Sequence, residues 1–73
     1  MKREDQMPVA KVSEISVTSV GGFEDAIKQG ITRANQTLRN VKSAWIKELH
    51  VRVEKGSIAE YQVNMMVTFI IDD

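Results

Sequence analysis

The sequence predicts an α+β fold of order β-α-β-β, in which a three-stranded antiparallel sheet packs on one helix. Three observations predict it: side chains alternate from Val9 to Val17, a helical period begins at Phe23, and Ser43 to Ile71 has the pattern of a two-stranded hairpin. One helix can cover one face of this sheet. Because the hairpin has apolar residues on both faces, the other face must be covered by another subunit, and the sequence predicts an oligomer.

The first strand is predicted from Val9 to Val17, where β-branched residues are frequent. The residues that follow, Thr18 to Gly22, break the alternation and offer hydroxyl groups as helix N-caps and glycines for a turn. Residues 1–8 are a charged head that ends at Pro8 and are predicted to be a disordered extension. Residues 9–73 are then predicted to form one domain.

The helix is predicted to begin at Phe23 and to stop near Asn40. Its apolar stripe recurs at helical spacing and consists of Phe23, Ala26, Ile27, Ile31, Ala34 and Leu38. Acidic residues in the first turn and Arg39 in the predicted last turn agree with the helix dipole. Gly30 in the middle of a helix costs about 1 kcal/mol relative to alanine, so we expect another backbone to approach closely there.

The hairpin turn is predicted at Lys55 and Gly56, because Gly56 accommodates the positive φ of a tight reversal. Counting outwards from this turn pairs Glu54 with Ser57, Leu49 with Gln62, Lys47 with Asn64, Trp45 with Met66, and Ser43 with Thr68. The last four of these pairs share one face, which also takes Val51, Val53 and Ile70. Its mixed polar and apolar character suits an interface that contains a ligand site.

The opposite face is predicted to pack on the helix. It carries Ala44, Ile46, Glu48 and His50 from the second strand, and Tyr61, Val63, Met65, Val67 and Phe69 from the third. A one-residue change in the register would exchange the two faces.

Length and composition agree with an oligomer and exclude several classes of function. A chain of 73 residues buries only roughly 60% of its unfolded surface, so a lone domain is marginally stable. Cysteine is absent, which excludes disulfides and thiolate metal sites, and the single His50 argues against a histidine-rich one. Ten basic and ten acidic residues give zero net charge, so no field draws the protein to nucleic acid or membranes. With no membrane span or signal peptide in the sequence, we expect a soluble cytoplasmic protein.

Short motifs along residues 9–72 resemble the dodecins, small flavin-binding proteins that assemble as hollow shells of twelve subunits. The motifs are Val17-Thr18-Ser19, Gly22-Phe23, Arg33-Ala34, Thr37-Leu38-Arg39, Ala59-Glu60-Tyr61-Gln62-Val63 and Val67-Thr68-Phe69. The resemblance implies a hollow homododecamer built from trimers, with flavin as the ligand in the form of FMN, riboflavin or FAD.

The resemblance also implies a set of site residues. In flavin-binding dodecins a tryptophan at the start of the second strand stacks on the isoalloxazine ring, and a glutamine in the third strand hydrogen-bonds its polar edge. Gln62 matches the glutamine, whereas Ser43 stands at the tryptophan position. Trp45 comes two residues later, a shift of about 7 Å along the strand. Glu48 matches an acidic residue near the pocket in some members, and His50 matches an arginine suited to phosphate in others.

Two functions are therefore predicted as alternatives. The first is a binding and storage protein that sequesters flavin in the shell without catalysis. The second is a dodecin-like shell that has lost flavin binding and is structural or binds other ligands or cations, as some relatives without the tryptophan are associated with cations. In the second case Trp45 and Gln62 are interface residues. An enzymatic function is the least favoured hypothesis, because the sequence has no recognisable nucleophile, acid–base pair or phosphate-binding loop.

Overall fold

The fold has the predicted order β-α-β-β. A computed structural model describes residues 9–71, and the predicted extension at residues 1–8 lies outside the described residues. The elements are β1 (Ala10–Ser19), α1 (Phe23–Thr37), β2 (Val41–Glu54) and β3 (Ser57–Ile70). They form one antiparallel sheet with α1 on one of its faces.

The last strand lies in the middle of the sheet, whose order is β1-β3-β2. β1 pairs with β3 without interruption, from Ala10 opposite Ile70 to Ser19 opposite Tyr61. β2 pairs with the other edge of β3. Every second side chain of β3 therefore points to the helix from the centre of the sheet, which explains why this strand supplies most of the core.

The core lies between α1 and β3, as the helical stripe and the odd-numbered residues of β3 predicted. Val63, Met65 and Val67 are fully buried, together with Ala26 of the helix. The partly buried residues around them are Ile15, Val17, Phe23, Ile27, Ile31, Leu38 and Val41. Phe23 meets the ring of Tyr61 edge to face, with centroids 5.0 Å apart. This arrangement confirms the predicted helix face.

The predicted caps of the helix were wrong in two details. No side-chain hydroxyl caps the N-terminus, where Gly22 is the N-cap residue. Instead, the buried Ser19 accepts a hydrogen bond from Gly21 N at 2.9 Å and donates one to Asp25 Oδ2 at 2.5 Å. Arg39 lies beyond the last helical residue, not in the last turn. The helix ends at Thr37, shortly before the predicted stop at Asn40, and its C-cap residue Leu38 is extended. Asn40 takes a φ of 61°, a left-handed conformation, in the turn that leads to β2.

Gly30 is required by close packing of side chains, not by the close backbone that we predicted. A Cβ at this position would overlap the terminal methyl group of Met65 and would lie 2.8 Å from Val17 Cγ2. Val17 is β-branched and has little rotamer freedom, so it cannot easily yield. The helix therefore lies closer to the sheet than a larger residue would allow.

The hairpin turn was correctly predicted. Lys55 and Gly56 both have positive φ, at 52° and 78°, as in the tight turns that match the twist of a hairpin. The pairs of Glu54 with Ser57, Trp45 with Met66 and Ser43 with Thr68 are confirmed.

The predicted register was wrong in the middle of the hairpin, because each strand contains an extra residue. β3 has its extra residue at Ala59, and β2 has one at Lys47. Between these bulges the pairs are His50 with Gln62, Leu49 with Val63 and Glu48 with Asn64. The two bulges cancel, so the predicted register holds next to the turn and again from Ile46 to Ser43. A further irregularity between Ser43 and Val41 pairs Val41 with Phe69.

This correction exchanges the faces of four side chains that the sequence analysis had assigned. Glu48 and His50 lie on the face of Gln62 and Trp45, not on the helix side. Leu49 and Val51 lie on the helix side, opposite Val63 and Tyr61.

The helix leaves β2 largely uncovered. α1 has 15 residues, about 22 Å of helix, whereas β2 and β3 have 14 residues each, roughly 46 Å of strand. Beyond Val41, every residue of β2 is exposed. Ile46, Leu49 and Val51 are between 40% and 53% exposed although they face the helix side. Within residues 9–71, no helix is long and apolar enough to cross a bilayer.

Candidate functional site

The candidate site lies on the face of the sheet that α1 does not cover, which we call the open face. β3 contributes Gln62, Asn64, Met66 and Thr68 to it. The partners of these residues on β1 and β2 lie on the same face. They include Ser43, Trp45, Glu48 and His50, so with Gln62 all five predicted site residues lie on the open face.

Trp45 presents an aromatic surface on this face. It stands opposite Met66 and is 51% exposed. Ser43, opposite Thr68, is also exposed. An indole with half of its surface open to solvent can stack on a planar ligand or pack against another subunit.

Polar side chains form a continuous hydrogen-bonded network on the open face across all three strands. Glu48 Oε1 accepts a hydrogen bond from Asn64 Nδ2 at 2.9 Å and lies 3.2 Å from His50 Nε2. Gln62 Nε2 donates to Ser16 Oγ at 2.9 Å and to Asn64 Oδ1 at 3.3 Å. The network therefore connects β1 to β2 through the two amides of β3, and we call it the polar relay.

The relay stabilises the ionised form of Glu48. The pKa of this carboxyl lies below its ordinary value of 4.5, chiefly because Asn64 donates a hydrogen bond to it. The hydrogen bond and the charge of His50 lower the pKa further, with a smaller contribution from Lys47. A group stabilised in this way is a carboxylate at neutral pH and accepts hydrogen bonds without donating any.

Charged pairs lie on either side of the relay. Lys47 Nζ is 3.3 Å from both carboxylate oxygens of Glu14 on β1. Towards the hairpin turn, Arg52 donates to Glu60 at 2.9 Å and to Glu54 at 2.6 Å, and these carboxylates raise the pKa of Arg52. Such pairs are exposed and contribute little to stability.

The structure brings some of the predicted site residues together and separates others. Gln62, Glu48 and His50 belong to one relay. Trp45 pairs with Met66, four residues from Gln62 along β3, a distance of roughly 13 Å. Trp45 and Gln62 of one chain therefore share a face but do not form a single compact pocket.

Two members of the relay, Ser16 and Asn64, were not among the predicted site residues. The sequence does contain a signal for Asn64, because Gln62 and Asn64 are the polar residues in an otherwise apolar stretch of β3. Ser16 has no such signal, since its role depends on the register of β1 against β3. Within residues 9–71, no three side chains of the metal-binding types are grouped to hold a metal ion.

Comparison with known proteins gives a consistent match over nearly the whole chain. The family model described as Dodecin matches residues 9–72. The dodecin of Thermus thermophilus is 34% identical over 65 residues, which cover 89% of this chain and 94% of that protein. The range matched by the family model includes the helix and all three strands.

Solved structures agree with this match. The dodecin from Streptomyces davaonensis superimposes with a TM-score of 0.87 at 37% identity and covers 92% of this chain and 98% of its own. A protein described as a calcium-chelating antigen, calcium dodecin, from Mycobacterium tuberculosis has a TM-score of 0.76 at 28% identity, with 88% and 91% covered. With the family model, the sequence relative and the fold in agreement, this chain belongs to the dodecin family.

Proposed function

We propose that this protein binds flavin and stores it in a hollow homododecamer, without catalysing a reaction on it. The observation that carries the proposal is the open face, which combines an exposed indole with a hydrogen-bonded amide on a dodecin fold. An isoalloxazine ring requires a flat apolar platform and polar partners for its edge. Its cytoplasmic location stays a prediction from the sequence.

The partner in this assembly is a second copy of the chain. Ile46, Leu49 and Val51 form an exposed apolar row on β2. The row lies on the helix side of the sheet, beyond the area that α1 covers. Trp45 adds apolar surface on the opposite side of the same strand. Apolar surface on both sides of an edge strand is costly in water and favours a symmetric assembly, which we propose is a dodecamer built from trimers.

The proposed flavin site is completed between subunits. Since Trp45 and Gln62 of one chain are roughly 13 Å apart along β3, we propose that Trp45 of one subunit and Gln62 of another face the same ring. Trp45 would stack on the ring, and Gln62 would bind its polar edge. Ser43, which has a small side chain, occupies the position at which other dodecins carry their tryptophan.

Glu48 and His50 are proposed to lie at the periphery of the bound flavin. They are on the same face as Gln62 and belong to the relay, which favours this position over the helix side. His50 stands where other members carry an arginine suited to phosphate. The His50 side chain is half exposed on this face, and we propose that it lies beside the phosphate when FMN is the ligand.

A second candidate function is a shell that binds cations or is purely structural. It is favoured by the relative described as calcium-chelating and by Ser43 at the family's tryptophan position. Symmetry could bring copies of Glu48 together, and carboxylates are the ligands that Ca²⁺ prefers. Calorimetric titration with Ca²⁺ alone tests this candidate.

Titration with riboflavin, FMN and FAD, followed by flavin fluorescence, tests the leading proposal. We expect strong quenching in the parent protein, its loss in Trp45→Ala and a weaker affinity in Gln62→Ala. Val20→Ala is a control, because Val20 is 81% exposed and lies outside both faces of the hairpin. Absence of flavin binding together with tight Ca²⁺ binding would support the second candidate and contradict the first.

A further inference from the structure

The polar relay fixes the direction in which each of its amides points. An ionised carboxylate can only accept hydrogen bonds, so the group of Asn64 that contacts Glu48 Oε1 must be its NH₂. The carbonyl oxygen of Asn64 then faces Gln62 and accepts from its Nε2. The carboxylate thereby determines the orientation of both amides.

The orientation of Gln62 leaves a defined pair of groups for a ligand. Its Nε2 is engaged twice, by Asn64 Oδ1 and by Ser16 Oγ. Among residues 9–71, no donor reaches Gln62 Oε1, which remains an acceptor. Because Ser16 Oγ accepts from Gln62, its own hydrogen is left to donate. The site therefore presents one acceptor beside one donor.

We propose that Glu48 and Asn64 are positioning residues that hold the Gln62 carbonyl towards the ligand, so that the site selects a ring edge with an N–H donor beside a carbonyl acceptor. A cyclic imide has this edge, and the pyrimidine part of a flavin carries one at N3–H. Gln62 Oε1 accepts from the imide N–H, and the Ser16 hydroxyl donates to the neighbouring carbonyl. This inference rests on the proposed function, gives Glu48 a positioning role, and adds Ser16 and Asn64, which the family resemblance did not include.

The selectivity follows from the cost of an unpaired polar group. A ligand methylated at N3 cannot donate and leaves Gln62 Oε1 without a partner, which weakens binding by about ten- to one-hundred-fold. If Asn64 no longer holds the amide, Gln62 can rotate and turn its NH₂ to the ligand. The preference for the unmethylated ring then falls, whereas a purely steric effect of the methyl group does not change.

The test compares dissociation constants for riboflavin and 3-methylriboflavin in the assembled protein. We expect the parent to prefer riboflavin by at least about tenfold, and Glu48→Gln and Asn64→Leu to reduce this preference while 3-methylriboflavin still binds. Glu54→Gln is the matched control, a carboxylate of the same strand that contacts Arg52 outside the relay, and it retains the preference. Equal affinity for the two flavins in the parent, or a preference unchanged in both relay variants, overturns the proposal.

A measurement without ligand separates failure of the relay from failure of the proposed function. In protein labelled with ¹⁵N at Asn and Gln, the side-chain amide signal of Asn64 is expected to shift as Glu48 is protonated below pH 4.5, and not to shift in Glu48→Gln. If the shift is present but no flavin binds, the proposed function fails and the orientation of the amides stands. If flavin binds but this shift is absent, the positioning role of Glu48 is wrong.

Discussion

Asn64 on β3 donates a hydrogen bond to Glu48 on the neighbouring strand β2, with 2.9 Å between Nδ2 and Oε1. The bond forms because a bulge at Lys47 turns Glu48 to the open face, opposite Asn64. Without that extra residue in β2, the alternation counted from Trp45 would place Glu48 on the helix side. A single inserted residue therefore assembles the polar half of the candidate site.

The lowered pKa of Glu48 predicts a specific dependence of stability on pH. A carboxyl whose pKa is lower in the folded state contributes stability above its ordinary pKa and loses it as the pH falls through the folded value. This contribution should be complete above pH 4.5 and decline below it. Denaturant unfolding at pH 6 and at lower pH should show a smaller loss for Glu48→Gln than for the parent. An equal loss in both proteins would mean that Glu48 is not stabilised by Asn64 and His50.

Substitution of Gly30 tests the close packing of helix and sheet. Gly30→Ala should destabilise the fold by about 1 kcal/mol or more, because the strain of overpacking exceeds the gain in helix propensity. The added Cβ meets Met65 and Val17. Thr32→Ala, at an exposed position of the same helix, should be neutral or slightly stabilising. If Gly30→Ala raises the midpoint of urea unfolding, the helix has more room than the structure shows.

The exposed apolar row of β2 predicts which variants disrupt assembly. Native mass spectrometry of the parent should give a mass of about 98 kDa, twelve chains of 8.2 kDa. Leu49→Asp places a charge in the row and should yield smaller species, whereas Val20→Asp, at a position that is 81% exposed, should assemble normally. A parent protein that is monomeric or dimeric at micromolar concentration would contradict the proposed shell.

Ser43 offers a test of the displaced tryptophan. Ser43→Trp restores an indole at the position where flavin-binding dodecins carry it and should tighten flavin binding by roughly tenfold. The double variant Ser43→Trp with Trp45→Ala should bind as well as Ser43→Trp alone. If the double variant loses binding, Trp45 contacts the flavin even when the family's tryptophan is present.

Much of the fold could be predicted because local signals agreed with one another. Gly56 marked the turn, the stripe from Phe23 to Leu38 marked the helix, and the odd-numbered residues of β3 marked the core. Each of these signals depends only on residues that are close together in the sequence.

The register between the bulges could not be obtained by counting from the turn. Neither bulge carries a glycine or proline, since the extra residues are Ala59 and Lys47. A signal was present in the pattern from Glu48 to Arg52, where apolar residues alternate with polar ones. Matching Leu49 to Val63 by hydrophobicity, in place of counting, would have placed Glu48 and His50 on the open face. The orientation of the amides requires side-chain coordinates.

The most direct test of the proposed function is a crystal structure of the assembled protein with FMN. We predict an isoalloxazine ring stacked on Trp45 of one subunit, with its N3–H within hydrogen-bond distance of Gln62 Oε1 and its neighbouring carbonyl near the Ser16 hydroxyl. A ring bound away from the open face, or bound there with Gln62 Nε2 turned towards N3, would contradict the account.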